Sequence, residues 1–199
     1  MQSKEISKIY SNLAKEYNTI VSKKAKYTAH TKMHDLAKKH ITKNATILDL
    51  GCGTGLGSKE LLKKGRTIIG IDCAQGMLKE AQKLPFEKVI LQDIEEPLKV
   101  KNDYFDAVLL IGVMEFIKNP HKLLKEIHTK LKKEGIVSIK KKKKISQKSK
   151  LAIKNYYKKD IEKIFKQEQY KILACKTFFG YNKQQEQVYY YGYILQKKA

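Results

Sequence analysis

Short apolar runs alternate with helix-like segments along the middle of the chain. The runs are shorter than helices and are bounded by glycine, acidic or lysine residues, which is typical of buried strands. Strands are predicted at Thr46–Leu50, Thr67–Ile71, Lys88–Leu91, Phe105–Ile111 and Gly135–Ile139, and helices at Leu56–Lys64, Gly76–Gln82 and Pro120–Lys132. This alternation predicts right-handed crossovers and a parallel sheet that is covered by helices on both faces.

The two ends of the chain have different patterns. Ser3–Tyr17 and Lys26–Ile41 have helical periodicity and precede the first strand, so we expect a cap over the mouth of the sheet. After a helix at Asn155–Phe165, strands are predicted at Lys171–Phe178 and Val188–Leu195. Gly180-Tyr181-Asn182 and a polar stretch separate them, which suits a hairpin that adds an antiparallel strand.

The predicted fold is therefore α/β, with a doubly wound, mostly parallel, seven-stranded sheet. A length of 199 residues suits one domain. We expect a helical cap over residues 1–43, a core over residues 44–140, and a C-terminal helix and β-hairpin over residues 141–199.

Cellular location is indicated by what the pattern lacks. The start of the chain is charged and shows no signal peptide, and the longest apolar stretch, Ala107–Met114, is far below the roughly 20 residues of a membrane span. Cys52, Cys73 and Cys175 have no paired or metal-ligand spacing. We expect a reduced cytoplasmic compartment, no membrane association and no metal site.

The net charge of +22 is compatible with a nucleic-acid partner, because clustered cations bind phosphates. Arg66 is the only arginine, however, and nucleic-acid readers usually depend on arginine for bidentate and stacking contacts. The densest run, Lys140–Lys144, is interpreted either as a solvated loop or as a contact for an anionic partner. A nucleic-acid partner remains open but is not favoured.

A glycine-rich turn follows the first predicted strand, in the segment Ile47-Leu48-Asp49-Leu50-Gly51-Cys52-Gly53-Thr54-Gly55. Glycines permit positive φ and let backbone N–H groups approach a ligand, and a following helix favours a carboxylate or phosphate at its start. A dinucleotide fingerprint requires G-x-G-x-x-G. If the pattern begins at Gly51, the position of its third glycine is occupied by Leu56, and if it begins at Gly53, that position is occupied by Ser58. The spacing therefore argues against a nicotinamide oxidoreductase.

Further residues at strand ends indicate a nucleoside ligand. Asp72 closes the second strand and can accept both ribose hydroxyls. Met77 is either an adenine contact or a core residue. Asp93 is placed to accept the adenine amino group, and Ile94 to donate its backbone N–H to a ring nitrogen; a plain loop carboxylate is the alternative for Asp93.

The segment Asp49–Gly55 resembles motif I of the class I S-adenosylmethionine (SAM)-dependent methyltransferases. Phe105-Asp106 with its strand, and the segments Asn119–Leu124 and Leu131–Gly135, resemble later motifs of the same family, in order. Tyr10–Asn18 resembles the Tyr-x-x-x-Ala-x-x-Tyr-Asp opening of small-molecule methyltransferases, except that Asn18 replaces Asp. The resemblance is to the branch that includes ubiquinone and menaquinone biosynthesis, and it implies a Rossmann-like methyltransferase fold.

The resemblance also implies the cofactor, SAM, and the product, S-adenosyl-L-homocysteine (SAH). It places the methionine carboxylate near Gly53–Leu56 and the ammonium near the Gly51 carbonyl and Asp49. Asp72 would hold the ribose and Asp93 the adenine. The cofactor-binding residues expected on this basis are Tyr17, Asp49, Gly51, Cys52, Gly53, Gly55, Asp72, Cys73, Met77, Asp93, Ile94 and Ile111.

The methyl acceptor is less well defined. No Asn-Pro-Pro-Tyr or Asp-Pro-Pro-Tyr follows the fourth strand, and no cysteine follows the fourth or fifth, so an oxygen, nitrogen or carbon of a small molecule is favoured. Candidate bases are Glu115, His30, His34 and His121. An RNA or protein acceptor using the lysine-rich surface, or a SAM-binding module without turnover, is the alternative. A monomer or homodimer is expected.

Overall fold

A computed structural model describes residues 3–21, 29–142, 157–183 and 186–198 of the chain. The helices are α1 (Ser3–Thr19), α2 (Ala29–Ala37), α3 (Lys59–Leu62), α4 (Gln75–Ala81), α5 (Pro120–Lys130) and α6 (Lys158–Gln167), with a short 3-10 helix at Met114–Phe116. The strands are β1 (Thr46–Leu50), β2 (Thr67–Asp72), β3 (Lys88–Leu91), β4 (Phe105–Ile111), β5 (Leu131–Lys142), β6 (Tyr170–Lys183) and β7 (Glu186–Lys197).

All seven strands form one sheet, in the order β3-β2-β1-β4-β5-β7-β6. The first five strands are parallel, whereas β7 is antiparallel to both β5 and β6. The predicted fold class is therefore confirmed. Because the order reverses between β1 and β4, the loops after these strands separate and leave a crevice at the carboxyl edge of the sheet.

The core has two layers because successive residues of the central strands point to opposite faces of the sheet. In β1, Leu48 and Leu50 pack with the apolar residues of α5 and α6, whereas Ile47 packs on the other face with α2 and α3. All three side chains are fully buried. Burial on both faces explains why these strands read as continuous apolar runs in the sequence.

The cap helices occupy two different positions. Helix α1 lies at the carboxyl edge of the sheet, where Ser7 Oγ donates to the Cys73 carbonyl oxygen at 2.7 Å and Ser11 Oγ accepts from Gly76 N–H at 3.2 Å. Helix α2 packs on the face formed by the C-terminal strands, where Met33 lies against Gly192. In the described residues, none of the helices combines the length and apolar content that a membrane crossing needs.

Part of the lysine run Lys140–Lys144 lies in a strand and not in a loop. Strand β5 continues through Lys142, and Lys140 and Lys141 are only 5% and 3% exposed. The solvated-loop interpretation is therefore wrong for this part of the run, because antiparallel pairing with β7 extends the strand beyond its apolar segment. Lys143 and Lys144 lie outside the described residues.

The turn predicted between the last two strands was also misplaced. Gly180, Tyr181 and Asn182 belong to β6, at a register shift between Phe179 and Tyr181, and pairing continues to Lys183 opposite Glu186. Gly180 is required for packing, because a Cβ there would overlap the ring of Tyr190. The predicted starts of two helices, at residues 26–28 and 155–156, lie outside the described residues.

Candidate active site

A cavity of about 510 Å³ lies at the carboxyl edge of the sheet, beneath α1. It crosses the ends of β3, β2, β1 and β4 and reaches Lys140 near the end of β5. The expected cofactor-binding residues that line it are Tyr17, Asp49, Gly51, Cys52, Gly53, Asp72, Cys73, Met77, Asp93, Ile94 and Ile111. Gly55 is the one expected residue that does not line it.

The glycine turn is fixed to the neighbouring strand and exposes its backbone to the cavity. The N–H groups of Gly51 and Cys52 donate to the Ile71 carbonyl oxygen at 2.7 and 3.0 Å. Gly53 has φ +55°, and a Cβ placed on it would meet no atom within 4 Å. The open space beside Gly53 lets a ligand approach the backbone closely.

Gly55 has a different role in the turn. Its φ is +80°, and a Cβ there would lie 2.7 Å from both Leu84 Cδ1 and Phe86 Cε2. Gly55 is therefore required for packing within the protein.

Helix α3 spans only Lys59–Leu62, so it is shorter than the Leu56–Lys64 helix expected from the sequence. Turns occupy residues 53–58 instead. Backbone groups of the turn, rather than a long helix, therefore form this side of the cavity.

Asp72 links the glycine turn to the start of α4. One carboxylate oxygen accepts from Gly53 N–H at 2.9 Å and the other from Ala74 N–H at 2.8 Å. Burial raises the pKa of Asp72, and the backbone hydrogen bonds oppose that rise. Each carboxylate oxygen has a second lone pair. The side chain can therefore accept a pair of adjacent hydroxyls, as a ribose presents, without giving up its backbone partners.

Asp49 is a buried acid directly behind the glycine turn. It is 3% exposed, and Ser58 Oγ donates to its Oδ2 at 2.7 Å. Burial raises the pKa of Asp49 to about 7, although the Ser58 hydrogen bond lowers it. A cation beside this carboxyl group would favour its ionised form. The residues present thus fit the amino group of an amino-acid ligand.

The part of the cavity where the sequence predicts the nucleoside lies between α1, α4 and the loop after β3. Met77 is 1% exposed and packs with Ala14 of α1, so it is both a core residue and a wall of the cavity. Asp93 Oδ1 accepts from Glu95 N–H at 3.0 Å, and the neighbouring Ile94 lines the same wall. The geometry therefore keeps both interpretations of Met77 open.

The two cysteines of the cavity are poorly suited to nucleophilic chemistry. Burial raises the pKa of Cys52 well above its ordinary value and raises the pKa of Cys73 to about 11. A thiol is nucleophilic mainly as the thiolate, so both side chains are neutral packing groups near neutral pH.

The four candidate bases separate into two pairs. Glu115 and His30 line the cavity, and Glu115 is 9% exposed. His34 lies elsewhere, with its Nε2 3.3 Å from Lys64 Nζ. His121 pairs with Glu168 at 2.9 Å in a separate surface groove. The structure therefore leaves two of the four beside the cavity.

Lys140, Lys142, Tyr181 and Tyr190 are among the cavity residues that were not identified as site residues from the sequence. Lys140 could have been found, because it lies near the carboxyl end of a parallel strand, where ligands of such sheets bind. The two tyrosines come from β6 and β7, whose register is set by strand pairing far along the chain and has no local signal.

Residues 48–139 match the family described as "Methyltransferase domain". Among curated relatives, a malonyl-[acyl-carrier protein] O-methyltransferase of Priestia megaterium is 29% identical over 65% of this chain and 48% of its own length. A ubiquinone biosynthesis O-methyltransferase of Dinoroseobacter shibae is 33% identical over 51% of this chain and 42% of its own length. An 18S rRNA (guanine-N(7))-methyltransferase of Bos taurus is 36% identical over 38% of this chain and 27% of its own length. The chain thus spans about half or less of the length of these relatives.

Two solved structures show the same fold. The [4+2]-cyclase SpnF superposes with a TM-score of 0.80 at 15% identity, covering 100% of this chain and 97% of its own. The Burkholderia thailandensis 1,6-didemethyltoxoflavin-N1-methyltransferase with bound SAH superposes with a TM-score of 0.74 at 14% identity, covering 100% and 92%. The match over residues 48–139 and the shared fold both support the resemblance to the class I SAM-dependent methyltransferases that was seen in the sequence.

Proposed function

We propose that the chain transfers a methyl group from SAM to an oxygen, nitrogen or carbon atom of a small-molecule acceptor. The observation that carries the proposal is one continuous cavity that joins the glycine turn and Asp72 to Glu115 and Lys140. A methyl donor and an acceptor bound in one cavity meet at close range, which is the main requirement for such a displacement.

The proposed cofactor contacts use the half of the cavity above β1, β2 and β3. Asp72 accepts from the ribose hydroxyls and Asp93 from the adenine amine. The ammonium of the methionine part lies near Asp49, and its carboxylate lies along the turn from Gly53. These assignments are supported by the burial of Asp49 and by the preorganised Asp72 carboxylate.

The acceptor is proposed to occupy the other half, above β4 and β5. Its walls are aromatic: Tyr10 of α1 packs edge-on against Tyr17 and Phe116, with ring centroids 6.1 and 5.9 Å apart. Tyr181 and Tyr190 of the C-terminal strands line the same space. Helix α1 covers this half, so an acceptor small enough to be enclosed suits it better than a polymer.

An RNA acceptor is the second candidate, because the net charge is +22 and one relative is named as an rRNA methyltransferase. The burial of Lys140 and Lys141 counts against it, since part of the densest lysine run is withdrawn from the surface. A SAM-binding module without methyl transfer is a third candidate, because a neighbour in fold is named as a cyclase.

Calorimetric titration with SAH, with NAD as the control, tests the cofactor assignment. We expect binding of SAH alone. Labelled SAM is then incubated with the protein and with separated small-molecule, RNA and protein fractions of an extract. Label in the small-molecule fraction supports the proposal, label in RNA or protein replaces it with another acceptor class, and SAH binding without any transfer favours the module without turnover.

A further inference from the structure

The segments at the two ends of β1 and β2 differ sharply in charge. The segments that lead into these strands, residues 38–45 and 63–66, contain six lysine or arginine residues and no aspartate or glutamate. The loops that follow the same strands, residues 51–58 and 73–76, contain no charged residue. Because the cavity lies at the carboxyl edge of the sheet, this group of cations lies at the edge away from it.

Five of the six cations are exposed lysines, and together they form a surface that we call the lysine patch: Lys38, Lys39, Lys43, Lys63 and Lys64. Two of them have acidic neighbours, since Lys38 pairs with Asp35 at 2.8 Å and Lys63 pairs with Glu60 at 2.9 Å. Lys39, Lys43 and Lys64 form no ion pair with a described residue. The patch therefore has more positive charge than its own acids neutralise.

A buried arginine holds the two segments of the lysine patch side by side. Arg66 is 7% exposed, and its Nε and Nη2 donate to the carbonyl oxygens of Thr42 and Ile41 at 3.1 and 3.2 Å. Lys64 also lies against α2, because its Nζ is 3.3 Å from His34 Nε2. These contacts join both segments and the end of α2 into one surface, so the fold itself groups the lysines.

A nucleic-acid backbone is the partner that best matches such a surface. Grouped like charges repel one another, and a polyanion relieves that repulsion. Lysines that neutralise phosphates also release condensed counterions, which favours binding. Lysine contacts a phosphate as a point charge, whereas arginine supplies the bidentate contacts that read bases. The lysine patch has no exposed arginine, so it suits phosphates and not a base sequence.

An anionic membrane matches the lysine patch less well. Surfaces that lie on membranes combine basic residues with apolar side chains that enter the bilayer. The apolar side chains of α2, Met33, Leu36 and Ala37, are buried against the protein. Among the described residues, no exposed large apolar side chain lies in residues 38–45 or 63–66. The patch thus offers charge without an apolar anchor.

We propose that the lysine patch binds the phosphate backbone of a nucleic acid, RNA or DNA, without sequence preference, and that this nucleic acid is not the methyl acceptor. Strand β1 is five residues long, so its two ends are about 15 Å apart. The lysine patch lies beyond one end and the glycine turn of the cavity beyond the other. The protein is therefore attached to a nucleic acid while the cavity stays available to cofactor and acceptor.

The proposal is tested with fluorescein-labelled RNA and DNA strands of mixed sequence, about 20 nucleotides long, which exceeds common single-strand site sizes. Fluorescence anisotropy measures their affinity between about 50 and 200 mM salt. The patch variant combines Lys39→Gln, Lys43→Gln and Lys64→Gln. Each lost phosphate contact lowers the slope of log affinity against log salt by about 0.7, so the variant should lose about 2 from that slope. Its affinity at about 50 mM salt should fall at least tenfold.

A second triple variant is the matched control. Lys125→Gln, Lys159→Gln and Lys166→Gln remove the same charge from exposed positions of α5 and α6. These helices pack on the opposite face of the sheet from α2 and α3. The control should bind the strands nearly as the wild type does. SAH titration of both variants shows that each is folded with an intact cofactor site.

The outcomes separate this proposal from the proposed function. A loss of affinity confined to the patch variant supports the lysine patch, and comparison of the two strands shows whether RNA or DNA is preferred. Equal losses in both triple variants, or no binding at about 100 mM salt, overturn it while the proposed function stands. Tighter binding to phosphatidylserine vesicles than to either strand also overturns it. Methyl label passed from SAM to the bound strand overturns its non-acceptor role together with the proposed function.

Discussion

At the scale of single residues, we expect Asp49 to make cofactor binding depend on pH. Burial raises its pKa to about 7, whereas an ammonium group beside it requires the ionised form. Below that pKa, binding must first remove a proton, so SAH affinity should weaken by up to about tenfold for each pH unit. Titrations between about pH 5.5 and 8.5 measure this. Asp49→Asn should flatten the profile; an equally steep profile in that variant would assign the effect to another group.

The same acid affects stability with the opposite sign. In the unfolded chain an aspartate has a pKa of about 3.9. Because the pKa of Asp49 is higher in the folded protein, the folded state holds its proton more tightly. The contribution of Asp49 to stability is therefore present at low pH and lost as the pH rises towards about 7. Thermal unfolding without ligand should show this loss, and saturating SAH should reduce it.

Asp72 should contribute more to affinity than any surface acid. A hydrogen bond to a charged group is worth about 1.5–3 kcal/mol, so Asp72→Ala should weaken SAH binding by roughly tenfold to a hundredfold or more. The variant also removes the acceptor for Gly53 N–H, which orients the glycine turn. Asp35→Ala, on the exposed side of α2, is the control. Calorimetry measures both, and unchanged affinity in Asp72→Ala would remove the ribose assignment.

At the scale of elements, two glycines of the same turn should differ in what their substitution affects: ligand binding at Gly53 and folding stability at Gly55. Gly53 faces open space, whereas a side chain at Gly55 would collide with Leu84 and Phe86. Gly53→Ala should therefore lower SAH affinity strongly and cost only about 1–2 kcal/mol of stability for its positive φ. Gly55→Ala should cost more stability than Gly53→Ala, because overpacking adds to the same backbone strain. Denaturant unfolding and SAH titration of both variants test this; equal losses of stability would contradict it.

The elements also show how far the sequence predicts this structure. The central strands were placed well because each is an apolar run between polar turns, and Asp72 and the glycine turn follow directly from their ends. Long-range packing decided the rest. The sequence alone indicates a surface run at Lys140, but pairing with β7 extends strand β5 through this residue. The sequence also predicts a ligand contact at Gly55, but in the structure the neighbouring side chains of Leu84 and Phe86 are what require a glycine there.

At the scale of the whole molecule, charge and enclosure favour different acceptors. A chain with a net charge of +22 attracts any polyanion, so RNA binding by itself would not identify an acceptor. Phosphate contacts depend steeply on salt: a protein that makes 6–10 of them loses roughly 10³–10⁵ in affinity between about 50 and 200 mM salt. Contacts inside a covered cavity are screened much less.

Salt therefore distinguishes the two acceptor classes by turnover. With an acceptor bound in the cavity, methyl transfer from labelled SAM should change little, by less than about threefold, across that range of salt. SAH affinity, measured alongside, serves as the internal reference for an intact cofactor half. If methyl transfer falls steeply with salt while SAH affinity is unchanged, the acceptor is bound through its own phosphates. Lysines on the protein surface, rather than Lys140 in the cavity, are then the residues that recognise it.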